Sequence, residues 1–154
     1  YSPDGARFDR YCQFFANELV PYVEQHFPVR KQVEDRILAG DSLGGTVSLH
    51  LALDHPHRFS KVISMSGAFL DPTRERLREE TDLSELDLYM VIGLDETEVK
   101  TERGTFDFLQ MNRLTRPMLE ERGARVRYEE KPGRHIWGFW QDELPDALLY
   151  YLGK

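Results

Sequence analysis

A chain of 154 residues fits a single hydrophobic core, and its 40% apolar content, with nine Phe, seven Tyr and two Trp, supplies the surface to build one. Twenty Lys and Arg against 27 Asp and Glu leave a net charge of −7, which repels a phosphate backbone and sets nucleic-acid binding aside. No apolar stretch approaches the roughly 20 residues that span a bilayer, and no basic-then-apolar leader opens the chain, so no membrane partner is expected.

The one cysteine, Cys12, can neither close an intrachain disulfide nor build a thiolate metal site, and cytoplasm is the default compartment. The chain begins at Tyr1 and not at Met, which raises the expectation of a preceding segment.

Apolar residues at Phe8, Tyr11, Phe15, Leu19, Tyr22 and Val23 recur every three or four positions and predict one helix over 6–27, with Pro28 closing it. Arg36 to Gly40 is a short apolar run entering a glycine, the pattern of a buried strand. Leu43 to Leu53 reads as a helix ended at His55-Pro56, and Lys61 to Met65 as a second strand followed by the small turn Ser66-Gly67. Thr73 to Leu86 is charged and reads as a solvated helical connection. Leu88 to Ile92 is a third strand, Arg103 to Gly123 a helix with Gly123 as its cap, Val126 to Glu129 a fourth strand, and Trp137 to Leu152 a last helix. Helices alternating with strands predict one α/β domain over 1–154 with a mostly parallel sheet. In such sheets reactive groups gather in the loops beyond the carboxyl ends of the strands.

The first of those loops is Gly40-Asp41-Ser42-Leu43-Gly44, a G-x-S-x-G pattern between a strand and a helix. It holds a serine in a sharp, strained turn, and side chains at the two glycines would meet the neighbouring strand and helix. Ser42 is the candidate nucleophile, and the N–H of Leu43, at a helix N-terminus, points where an oxyanion would form. A serine hydroxyl needs a base. Of five histidines, His26, His55 and His57 suit helix ends and His50 lies inside a helix, which leaves His135 in the loop before the last helix. An acid should follow the third strand, where Gly93-Leu94-Asp95-Glu96 offers Glu96 as first choice and Asp95 as second. Phe69, Trp137 and Phe139 are candidate pocket residues by loop position. No histidine pair or carboxylate cluster has metal-ligand spacing on one helix face, so neither a metal nor an organic cofactor is called for.

These stretches, with Ser64-Met65-Ser66-Gly67 and His135-Ile136-Trp137-Gly138-Phe139-Trp140, resemble the esterase branch of the α/β-hydrolases that includes esterase D (S-formylglutathione hydrolase) and enterochelin-esterase-like proteins. The resemblance runs over nearly the whole chain. It implies a three-layer sandwich, carries the catalytic serine and histidine onto Ser42 and His135, and implies a small-molecule ester or thioester substrate. The family acid is often Asp, so Glu96 departs from the pattern and Asp95 stays open. Trp137 and Trp140 match the family's aromatic pair, which either packs the last helix on the sheet or touches the acyl pocket. Family members have several strands before the nucleophile strand, and a loop there brings a second oxyanion donor. With only one helix before Arg36, this chain looks like the C-terminal part of that fold, and a bare sheet edge would favour self-association. A serine esterase is therefore the first expectation, and a non-catalytic remnant that binds a partner is the alternative.

Overall fold

The computed structural model describes residues 2–153. Helical turns open it: α1 (Phe8–Phe14) and α2 (Val20–His26) are joined by a π-helical turn at Phe15–Leu19. The predicted single helix is thus widened in its middle. The wide turn lies just before Pro21, whose ring removes a donor and crowds the preceding turn.

Strand β1 (Ile37–Asp41) leads into α3 (Leu43–Asp54), then come β2 (Lys61–Met65), α4 (Asp71–Glu79) and β3 (Asp87–Gly93). The hairpin β4 (Val99–Thr101) and β5 (Gly104–Phe106) precedes α5 (Phe108–Glu120), β6 (Arg125–Lys131) and α6 (Trp137–Leu152). Two sequence expectations change here. The helix expected over 103–123 starts five residues later, because Gly104 at φ +128° closes a hairpin and the Asp107 carboxylate caps α5 by accepting from the Gln110 N–H at 2.7 Å. The segment read as a solvated connection is helical only to Glu79, and Thr73 and Leu77 on it are fully buried. Gly123, at φ +92°, does terminate α5 as expected, with the Ala124 N–H reaching back to the Leu119 carbonyl.

The main sheet runs β1-β2-β3-β6, parallel throughout. Its central strand β3 is buried along its whole length, which is why Leu88 to Ile92 reads as a continuous apolar run with no alternation. Val62, Leu88 and Met90 face a core shared with α1, α3, Leu77 of α4 and Leu119 of α5. Ile63, Met65, Tyr89 and Val91 face the other way, against Phe139 and Ala147 of α6. The result is a three-layer α/β/α sandwich. The outer edge of β1 is unpaired among the described residues, and an apolar hollow of about 300 Å³ and a mixed polar and apolar one of about 480 Å³ flank it. Among the described residues no helix is long and apolar enough to cross a membrane.

Helix α3 is buried from Gly45 to Leu53. His50 on it contacts Thr73 Oγ1 through Nε2 at 3.0 Å and meets the Phe8 ring edge-on at 4.9 Å. Burial pushes this imidazole's pKa down from 6.5 to about 4, against the opposing charge of Asp54. The unfolded imidazole takes a proton near pH 6.5 and the folded one only near 4, so protons favour the unfolded chain in that window. Stability is complete above pH 6.5 and should fall by about 3 kcal/mol once the pH is well below 4. Thermal denaturation against pH checks this: His50→Gln, which keeps a polar partner for Thr73, should flatten the slope, and an unchanged slope would assign the acid sensitivity to another group.

Candidate active site

Parallel register brings the carboxyl ends of β1, β2, β3 and β6 to one rim. At the end of β1 the chain turns through Ser42 at φ 51°, ψ −121°, a left-handed conformation that disfavours a residue with a Cβ. Neighbours hold it there. The Ser42 N–H donates to the Met65 carbonyl at 2.9 Å, and the Ser42 carbonyl accepts from the Ala68 N–H at 3.0 Å. The turn is tight because β1 presses on α3: a Cβ at Gly40 would lie 2.3 Å from the Gly44 carbonyl carbon. The expectation for Gly44 is corrected, since a Cβ there would meet nothing within 4 Å. The second crowded glycine is Gly45, against Ser64 Oγ at 2.5 Å.

Strand β2 ends in a second left-handed serine, Ser66 at φ 52°, whose N–H donates to the Val91 carbonyl at 2.7 Å. After β3, the N–H groups of Leu94 and Asp95 donate to the carbonyls of Lys131, the last residue of β6, and of Gly133 beyond it, which ties the two loops together. That tie turns Glu96 inward, fully buried, and leaves the Asp95 side chain exposed.

Three of the expected residues meet. His135 Nε2 lies 2.9 Å from Ser42 Oγ, and His135 Nδ1 lies 2.6 Å from Glu96 Oε2. The other carboxylate oxygen, Glu96 Oε1, accepts from the Gly93 N–H at 2.9 Å and from Ser66 Oγ at 2.6 Å. Trp140 Nε1 donates to Ser66 Oγ at 2.9 Å. The imidazole is packed by Phe108, stacked at 4.5 Å between ring centres, and by Trp140, edge-on at 4.9 Å. Asp41, beside Ser42, has its carboxyl pushed above the usual range by burial, partly offset by a backbone hydrogen bond and the charge of His135. Leu43 is the first residue of α3, so its N–H lies among those with no partner inside the helix.

The expected pocket residues do not meet there. A cavity of about 240 Å³ beside Ser42 is lined by Leu43, Ala68, Leu70, Arg103, Phe106 and Phe108. Phe69 is instead fully buried in the main core, Phe139 packs behind the sheet, and Trp137 is 63% exposed with its ring edge-on to Trp140. Trp140 does pack α6 on the sheet. Ser66, Phe106 and Phe108 escape a sequence reading because no local pattern marks them; the one available signal is Ser66-Gly67 closing a strand at the same rim as Ser42. Among the described residues no group of three or more His, Cys, Asp or Glu is arranged to hold a metal.

Fold and site together define an esterase-type α/β-hydrolase domain. The family described as "Putative esterase" matches residues 1–151, and the chain belongs to it. The Bacillus subtilis (strain 168) protein YjcH is 37% identical over 149 residues, covering 96% of this chain and 62% of YjcH. An enterobactin esterase from Shigella flexneri superposes with a TM-score of 0.79 at 22% identity, over 93% of this chain and 38% of its own. S-formylglutathione hydrolase (FrmB) from Staphylococcus aureus superposes with a TM-score of 0.69 at 20% identity, over 94% of this chain and 65% of its own. At those identities the two structures speak for the fold alone. The chain spans less than two thirds of the length of these relatives.

The glycine geometry makes a clean contrast. Gly40→Ala drives a Cβ into the Gly44 backbone and should cost about 1–3 kcal/mol in a denaturation experiment. Gly44→Ala sits in open space on a helix and should stabilise by about 0.5–1 kcal/mol. Equal effects at the two positions would mean that β1 does not press on α3 as described.

Proposed function

We propose that this protein is a serine hydrolase that cleaves carboxylic esters or thioesters through an acyl-Ser42 intermediate. The observation that carries the reading is the unbroken series Ser42 Oγ, His135 Nε2, His135 Nδ1, Glu96 Oε2, at 2.9 Å and 2.6 Å. Ionised Glu96 only accepts, so His135 donates from Nδ1 and its Nε2 is free to take the Ser42 proton as Oγ attacks the acyl carbon. The Leu43 N–H, at the positive end of α3, receives the oxyanion of the tetrahedral intermediate. Collapse expels the alcohol or thiol, which leaves with the proton from Nε2; water, deprotonated in turn by His135, then releases the acid. Glu96 holds the tautomer and offsets the imidazolium charge. Side chains handle every proton in this scheme, without a cofactor. Membership of the family described as "Putative esterase" agrees with ester cleavage. The one cysteine, Cys12, is a buried free thiol, which suits the cytoplasmic setting proposed with this reading.

With p-nitrophenyl acetate as substrate, Ser42→Ala and His135→Ala should each abolish turnover and covalent labelling by a fluorophosphonate, and the double variant should lose no more than either alone. Glu96→Gln should lower kcat by about 10²–10⁴, whereas Asp95→Asn should stay near wild type. A reversed ranking would make Asp95 the acid.

A second reading rests on the unpaired edge of β1 and the apolar hollow beside it: the domain docks a strand from a partner or a second copy, and hydrolysis is weak. Ala39 is exposed on that edge. Ala39→Lys should then lower the association of the polypeptide in size-exclusion chromatography without reducing turnover. A monomeric wild-type chain with efficient turnover would dispose of the second reading.

A further inference from the structure

We infer that Ser66 and Trp140 are positioning residues that aim the Glu96 carboxylate at His135, an inference that rests on the proposed role of Glu96. Hydrogen-bond direction carries the argument. An indole N–H can only donate, so Ser66 Oγ must accept from Trp140 Nε1 at 2.9 Å. The serine hydroxyl has one proton, and the neighbour to which it can give it is Glu96 Oε1 at 2.6 Å. A carboxylate accepts only, so Gly93 N–H, Ser66 O–H and His135 Nδ1–H all converge on it as donors. Two donors on Oε1 leave Oε2 facing His135 Nδ1 as an acceptor, which matches the Nδ1–H tautomer that leaves Nε2 open toward Ser42.

Geometry explains why an extra pair of residues is needed. Glu96 reaches His135 with a side chain one methylene longer than Asp, which gives it one more torsion to immobilise. The Gly93 N–H alone fixes one contact on Oε1; Ser66 supplies a second from the neighbouring strand and so removes rotation about the carboxyl axis. Ser66 can do this because its left-handed turn at the end of β2 points the hydroxyl along the rim, and Trp140 stops that hydroxyl from swinging away. Trp140 also packs edge-on against the imidazole at 4.9 Å, so one side chain from α6 braces both partners of the Glu96–His135 pair.

Ser66→Ala tests the relay. It should lower kcat by about 10–100-fold with KM within about twofold, the range for loss of an outer-sphere hydrogen bond. On a Glu96→Gln background the same change should cost nothing further, because Ser66 acts through Glu96, and Trp140→Phe combined with Ser66→Ala should be no worse than Ser66→Ala alone. The His135 Nδ1 proton supplies a readout independent of turnover: its far-downfield NMR signal should move upfield or broaden in Ser66→Ala and in Trp140→Phe. If Ser66→Ala loses its cooperative melt, Trp140→Phe, which keeps an aromatic ring beside His135, carries the same test. Wild-type kcat together with an unmoved Nδ1 signal in these variants overturns the inference. Wild-type turnover in Glu96→Gln would instead remove the proposed role of Glu96, and the Nδ1 signal would still decide whether Ser66 and Trp140 orient the carboxylate.

Discussion

A carboxylate cut off from water is among the costliest groups a small fold can hold, and Glu96 is fully buried. It is tolerable only because three donors from three parts of the chain face it: the backbone of β3, the turn after β2 and the loop before α6. Each of those donors is set by a strand end, so the sheet register decides whether the charge can exist there. A slip of one residue between β2 and β3 would carry Ser66 away from Glu96 and leave the charge short of a partner. The burial of Glu96 and the order of the sheet are thus one requirement seen from two sides.

Strain is distributed along the same rim. Ser42 and Ser66 both stand in left-handed backbone, where residues with a Cβ cost about 1–3 kcal/mol each. Each is held by donating its N–H to a carbonyl of the next strand, Met65 for Ser42 and Val91 for Ser66. The two serines share a positive φ at the ends of neighbouring strands and differ in what their hydroxyls meet. Ser42 faces the imidazole beside an open cavity, while Ser66 is buried between an indole and a carboxylate. A positive φ thus recurs at two strand ends, once with the hydroxyl open to a cavity and once with it enclosed.

The layers on either side of the sheet divide the labour. Helices α1, α3, α4 and α5 bury one face, whereas α6 is the main cover of the other. Because α6 starts two residues after His135 and carries Trp140, packing that second face also places the His135 imidazole. Phe108, the first residue of α5, stacks on the imidazole. Core packing and site geometry share these side chains, so a change in either helix is felt at the rim.

Local chemistry made much of this legible before any coordinates. Apolar runs entering glycine marked the strands, the strand-glycine-serine-helix sequence marked Ser42, and position before the last helix singled out His135 among five histidines. Those signals work because each depends on a few contiguous residues. Glu96 and Asp95 are neighbours of like charge in one loop, and the choice between them rests on backbone bonds to Lys131 and Gly133, nearly 40 positions away. Ser66 and Trp140 are 74 residues apart, and nothing in either neighbourhood announces their hydrogen bond. Phe69 carries the same signal whether it lines a pocket or fills a core; the turn after β2 sends it inward, and Phe106 and Phe108, delivered by a hairpin hidden inside an expected helix, line the cavity instead. Sequence by itself determined the four strands of the main sheet and the candidate groups at its rim, since propensity and turn chemistry are local; tertiary structure decided which groups face one another, since that depends on strand register and on which side of the sheet each loop returns.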